Sequence, residues 1–131
     1  MNPSFINVMI VDDEESIRLN LEVFLEDEDF NISSVETGKQ ALKKASELVI
    51  DIGIIDMRLP DIDGQALIVA LHKLYPSMTF LIHTGSIDYL LPRELVDLGI
   101  KESQVLHKPV NDMEFLVSII KKTVVDKVQK K

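Results

Sequence analysis

An α/β architecture, a doubly wound five-stranded parallel sheet with helices on both faces, is predicted by three observations. Five short apolar runs alternate with five segments whose apolar residues recur at helical spacing. The runs break off into polar or charged residues at Asp12-Asp13, Glu36-Thr37-Gly38, Asp56, Thr84-Gly85-Ser86 and Lys108-Pro109, where loops to the next helix must begin. The chain of 131 residues is 46% hydrophobic, enough to bury the core of one ordinary domain.

Phe5 to Val11 (FINVMIV) reads as the first strand, ending in Asp12-Asp13-Glu14-Glu15. Ser16 to Leu25 follows with Ile17, Leu21, Phe24 and Leu25 at helical spacing, and the preceding acids suit the positive end of that helix. Phe30 to Val35 is the second strand, and Lys39 to Leu48 the second helix, with Ala41, Leu42, Ala45 and Leu48 on one face. Val49 to Asp56 holds the third strand, an Ile-rich run of the kind buried on both faces. Pro60 and Gly64 shape the loop after it. Gly64 to Tyr75 is the third helix, stopped by Pro76. Met78 to His83 is the fourth strand. In Ile87 to Leu98, Pro92 either starts a helix or breaks one, and Gly99 caps its end. Val105 to His107 is a short fifth strand. Asp112 to about Val125 is the fifth helix, with Phe115, Leu116, Ile119, Ile120 and Val124 on one side.

Composition excludes several function classes. A net charge of −8 argues against direct nucleic-acid binding, which needs a cationic footprint, and is compatible with a cation site or a basic protein partner. Without cysteine there is no disulfide framework, thiolate chemistry or cysteine zinc site. No apolar run reaches membrane-span length and no signal peptide is evident, so the expectation is a cytoplasmic domain with no membrane partner. His72, His83 and His107 are scattered without zinc-site spacing, and partial burial accounts for His83 and His107. Asp61 and Asp63 read as loop acids, because the Glu that closes an EF-hand loop is missing.

In sheets of this kind ligands bind outside the carboxyl ends of the strands. That edge would gather Asp12, Asp13, Asp56, Thr84 and Lys108. Two carboxylates about 5 Å apart repel by about 3 kcal/mol at an effective dielectric near 20. Three need compensation, from Lys108 and a divalent cation. Hard oxygen ligands with open positions suit Mg²⁺. The chemistry that fits is phosphoryl transfer onto a carboxylate, with Lys108 neutralising charge and Thr84 hydrogen-bonding an oxygen. Taken singly, Asp12-Asp13 also suits a helix cap, Asp56 a loop acid and Thr84 a strand-end residue.

The ordered set Val11-Asp12-Asp13-Glu14, Ile55-Asp56-Met57-Arg58-Leu59-Pro60 with Gly64, Thr84-Gly85 and Lys108-Pro109 resembles the receiver domain of two-component response regulators, over essentially the whole chain. That resemblance implies a flavodoxin-like (βα)5 fold with strand order 2-1-3-4-5. It implies Asp56 as phosphoacceptor, with Asp13, Asp56 and the Arg58 backbone carbonyl as Mg²⁺ ligands and Asp12 acting through a water. Thr84 and Lys108 would bind phosphoryl oxygens, and Lys108–Pro109 would be cis. The implied donor is a phosphohistidine on a sensor histidine kinase or phosphotransfer protein. The implied role is a switch that assists its own phosphorylation and dephosphorylation, not a turnover enzyme, and a homodimer is compatible with it. Residues 1–125 read as the receiver domain and 126–131 as a basic tail or a truncated linker, within a lysine set of Lys121, Lys122, Lys127, Lys130 and Lys131.

The chain departs from the family at two places. Val105 stands where an aromatic usually precedes the lysine by three residues, and the Thr84-to-Lys108 segment is longer than usual. Arg58 and Ser86, each two residues past a site residue, occupy positions that tune phosphoryl loss in the family. Rival readings are a degenerate receiver that only binds partners, and a phosphatase of the haloacid dehalogenase type. The latter's D-x-D on the first strand is missing. A P-loop hydrolase lacks its Gly-Lys-Ser/Thr loop, and a flavodoxin lacks its phosphate loop after strand one.

Overall fold

Strands whose side chains alternate between two faces need cover on both, and this chain supplies it. The computed structural model describes residues 2–129, with side chains as far as Lys127. In chain order the elements are β1 (Ile6–Val11), α1 (Glu15–Glu26), β2 (Phe30–Val35), α2 (Gly38–Glu47), β3 (Ile52–Asp56), α3 (Gly64–Leu74), β4 (Thr79–Thr84), α4 (Arg93–Asp97), β5 (Val105–His107) and α5 (Met113–Gln129). A 3-10 turn at Glu102–Gln104 precedes β5. All neighbouring strands are parallel, in the expected order β2-β1-β3-β4-β5.

Period-two alternation decides which helices meet which strand residues. Val8 and Ile10 of β1, Ile52 and Ile54 of β3 and Leu81 of β4 share one core with Leu21 and Leu25 of α1 and Leu116 and Ile120 of α5. Met9, Val11, Ile55, Phe80 and Ile82 point the other way, against Ala41 and Ala45 of α2, Leu67, Ile68 and Leu71 of α3 and Leu95 of α4. Each fully buried Leu or Ile among these contributes about 1.5–3 kcal/mol of burial. Edge strand β2 is buried only at its two ends, which is why its middle tolerates Ser33 and Ser34. Thr37 caps α2 by accepting from the Gln40 N–H (3.1 Å), and Asp63 caps α3 by accepting from the Ala66 N–H (2.8 Å).

Three elements depart from the sequence reading by more than a single residue at an end, and one element is new. β3 begins at Ile52: Val49 is 78% exposed, and the Asp51 carboxylate accepts from the Asn7 N–H (2.7 Å). α4 is only five residues long, preceded by Pro92 and closed by Gly99 at φ +96°, whose left-handed backbone lets the Ile100 N–H reach the Leu95 carbonyl. The 3-10 turn before β5 has no counterpart in the predicted elements. α5 continues past Val125 to Gln129, so the first part of the expected tail is helical, while Lys130 and Lys131 lie outside the described residues. Among the described residues no helix is long and apolar enough to cross a membrane.

Candidate functional site

The carboxyl ends of β1, β3, β4 and β5 bring the predicted residues together. Asp12 follows β1 and is 1% exposed, Asp56 ends β3, and Thr84 ends β4, both nearly as buried; Asp13 is exposed. Lys108 follows β5, where its N–H donates to the Thr84 carbonyl (2.8 Å) and extends the β4–β5 ladder by one residue. The Lys108–Pro109 bond is cis. From there the ammonium stands 3.0 Å from Asp12 Oδ2, 3.0 Å from Glu14 Oε1 and 3.3 Å from Asp56 Oδ1. The contact to Glu14 is a directed hydrogen bond. Asp12 Oδ2 has a close charge but no directed hydrogen bond, and Asp12 Oδ1 accepts from the Glu14 N–H (2.9 Å) ahead of α1. Asp12 therefore does not cap that helix, whose first turn has no side-chain cap.

The loop after β3 is held in shape from several sides. The Arg58 N–H donates to Asp56 Oδ1 (3.1 Å), the Gly64 N–H to the Met57 carbonyl (3.2 Å), and Arg58 forms an antiparallel bridge with Asp63. A Cβ on Gly64 would lie 2.5 Å from the Asp56 carbonyl oxygen and 2.8 Å from Met57 Cα, so only glycine lets α3 start this close to the phosphoacceptor candidate. Asp61 accepts from the Gly38 and Lys39 N–H groups (2.9 Å each), tying the loop to the start of α2; those bonds hold its pKa below the usual 3.8. Both loop acids thus have partners at helix ends.

Burial pushes the Asp56 pKa up from 3.8 to about 6, against the Arg58 N–H; the Asp12 charge adds to the rise and Lys108 offsets part of it. Burial works against the Lys108 charge too, yet Glu14, Asp12 and Asp56 outweigh it and its pKa is raised. His83 is 2% exposed, more buried than its sequence position implied, and burial lowers it to about 4; its Nδ1 lies 3.8 Å from Asp12 Oδ2.

Two contributors were missed by sequence reasoning. Glu14 shares Lys108, a role invisible without the fold. Arg18 is buried on α1, donating to the Asp12 carbonyl (2.9 Å) and pairing with Glu36 (3.2 Å). Its signal was present: with Leu21 and Leu25 it occupies the apolar stripe of α1, an odd place for a cation. Val105 is half-buried in the core of the α2–α4 side, together with Tyr89, whose hydroxyl reaches Met57 Sδ (3.6 Å).

The donor set fits a hard divalent cation. Oxygens of Asp12, Asp13, Glu14 and Asp56 lie within 4.8 Å of one another, and the buried Asp12 Oδ2 lacks a hydrogen bond. A cleft of about 510 Å³ opens beside them, lined also by Arg58, Thr84, Gly85, Ser86 and Lys108. The Thr84 hydroxyl oxygen accepts from the Ser86 N–H (3.1 Å), which leaves its proton free to donate into that cleft.

Residues 8–121 match the family model described as response regulator receiver domain. An NtrX-like response regulator of Rickettsia conorii is 30% identical over 129 residues, 97% of this chain; the chain spans 27% of that relative's length. A CheY-like receiver domain protein from Methanospirillum hungatei superposes with a TM-score of 0.83 at 27% identity, covering 98% of this chain and 100% of that one. The response regulator TrrA of Thermotoga maritima, solved in complex with Mg²⁺-BeF, gives 0.78 at 26% identity, covering 91% and 99%.

Proposed function

The chain belongs to the response regulator receiver domain family of two-component systems, and on that premise we propose that it is a phosphorylatable switch whose phosphoacceptor is Asp56. The observation that carries the proposal is the placement of one ammonium against two buried carboxylates at the carboxyl edge of the sheet, with Thr84 lining the same cleft. The donor would be a phosphohistidine of a sensor kinase or phosphotransfer protein in the cytoplasm. Apart from the donor histidine, every side chain the step uses comes from this one chain, so the reaction needs no second copy of it.

With its pKa near 6, Asp56 is ionised at pH 7 and can act as the nucleophile. One Asp56 carboxylate oxygen forms a bond to phosphorus as the phosphorus–nitrogen bond to the donor imidazole breaks, and the nitrogen keeps that electron pair. The Lys108 ammonium shifts from its carboxylate partners to a phosphoryl oxygen, and the Thr84 hydroxyl donates to another. Asp13, Asp56 and the Arg58 carbonyl would hold Mg²⁺, with Asp12 reaching it through a water, and the ion would supply the positive charge that offsets repulsion between carboxylate and phosphoryl group. The same constellation lets water remove the group, so the chain acts on itself and does not turn over a substrate.

The test is incubation with Mg²⁺ and acetyl phosphate, read by intact mass, or with beryllofluoride, read by binding. A phosphoryl increment on wild type that Asp56→Asn abolishes supports the proposal. No reaction with wild type refutes it and favours a degenerate receiver that only binds partners.

A further inference from the structure

A second cavity, of about 410 Å³, lies at the far end of β4 from the acidic cleft and shares no residue with it. Its origin is the shortness of β5, which pairs only with Ile82, His83 and Thr84, so the first half of β4 has no strand on that side. One side chain closes the edge there. Gln104 is 8% exposed, donates from Nε2 to the Phe80 carbonyl (2.8 Å) and accepts at Oε1 from the Lys101 N–H (3.0 Å). The space a longer strand would fill stays open between the segment running from Leu98 to Gln104 and α5.

Phe80, Ile100 and Ile119 give this space an apolar wall. Lys101, Lys122 and Lys127 stand around it with His72, and Asp126 is its single acid. On a chain of net charge −8 that is a local reversal of sign. Thr79 and Thr123, both 9% exposed, also line it, the Thr79 hydroxyl donating to the Asp51 carbonyl (3.3 Å).

We propose that this cavity binds a small anionic molecule with a flat apolar body, an arylalkanoate in chemical class. Its volume lies in the range of about 300–1,000 Å³ that small-molecule pockets occupy, and an apolar wall with a few polar groups is their usual construction. The ring packs on Phe80, Ile100 and Ile119, and the carboxylate meets the lysines. An added β-strand is a poorer occupant, because Gln104 already holds the Phe80 carbonyl that such a strand would need. The Gln104 turn leads directly into β5 and so to Lys108, which places the ligand against the element that presents the ammonium.

The experiment is a titration of the ¹⁵N-labelled 131-residue chain with 3-phenylpropionate and, separately, with phenethylamine, its counterpart of opposite charge. Saturable amide shifts at Ile100, Lys101, Ser103 and Thr123 are expected from the carboxylate, which binds about thirtyfold more tightly than the amine, because one surface charge contact attracts the acid and repels the amine. Lys122→Glu, at an exposed position on α5, removes that preference while leaving the fold intact. Shifts confined to other surfaces such as Ile87 and Leu90, no saturable shift, or equal binding of acid and amine would each overturn the proposal.

Discussion

Replacing Asp56 with Asn should make the metal-free protein more stable at pH 7.5, although it removes the proposed phosphoacceptor. Burial raises this carboxyl from 3.8 to about 6 even after the Lys108 and Arg58 contacts are counted. The neutral form is therefore favoured in the folded state, and its stabilising contribution is complete below pH 3.8 and lost as pH rises through about 6. The displacement corresponds to about 3 kcal/mol of penalty on the ionised wild type at pH 7.5. For a domain of this size that is on the order of 10 °C in Tm. Asn keeps an acceptor for the Arg58 N–H and carries no charge. His83 works in the opposite direction: lowered from 6.5 to about 4, it stabilises above pH 6.5 and loses that contribution as pH falls toward 4. The two effects nearly cancel in wild type between pH 4 and 6, whereas the Asn variant should climb in stability over that range. The assay is urea unfolding in EDTA from pH 3.5 to 7.5. An Asn variant less stable than wild type at pH 7.5, or a gap that does not close below pH 4, would refute the reasoning. Mg²⁺ should narrow the gap by stabilising wild type alone.

Four other substitutions separate the parts of the site. Lys108→Ala leaves two buried carboxylates without their cation, so unfolding in EDTA should show a loss of about 3–5 kcal/mol that Mg²⁺ partly restores, while mass spectrometry still finds Asp56 phosphorylated. Arg18→Met strips the donor from the Asp12 carbonyl, and denaturant titration should show a loss of about 1–3 kcal/mol with weakened Mg²⁺ binding. Gly64→Ala forces a Cβ onto the Asp56 carbonyl, so Tm and Mg²⁺ affinity, followed by calorimetry, should fall together. Asp61→Ala frees two N–H groups at the start of α2; its Tm deficit at pH 7 should vanish as pH drops below 3.8, because the lowered pKa of Asp61 stabilises only above that range.

Fold and site were legible to different depths. The strands announced themselves because both faces are largely buried, so β1, β3 and β4 are mostly apolar runs whose polar ends mark one edge of the sheet. That is why Asp12, Asp13, Asp56, Thr84 and Lys108 could be gathered from sequence. Glu14 could not be given its role, since its partner Lys108 lies 94 residues away. Asp61 looked like any loop acid because its partners, Gly38 and Lys39, open a helix more than twenty residues earlier in the chain. α4 was obscure for a different reason: five residues with one buried anchor, Leu95, make too short a helix for periodicity to register. α5 outlasts its apolar stripe, so its end was placed too early.

The 94-residue reach from Glu14 to Lys108 also bears on how the molecule comes into being. Closing a loop of that length costs about 4 kcal/mol in chain entropy, and it must be met before the ammonium can answer the acids. As the chain leaves the ribosome, β1 and β3 can bring Asp12 and Asp56 together while Lys108 is still unmade. Until then their mutual repulsion opposes the half-built sheet. The segment that follows β5 thus brings the counter-charge that offsets a repulsion set up far earlier in the chain.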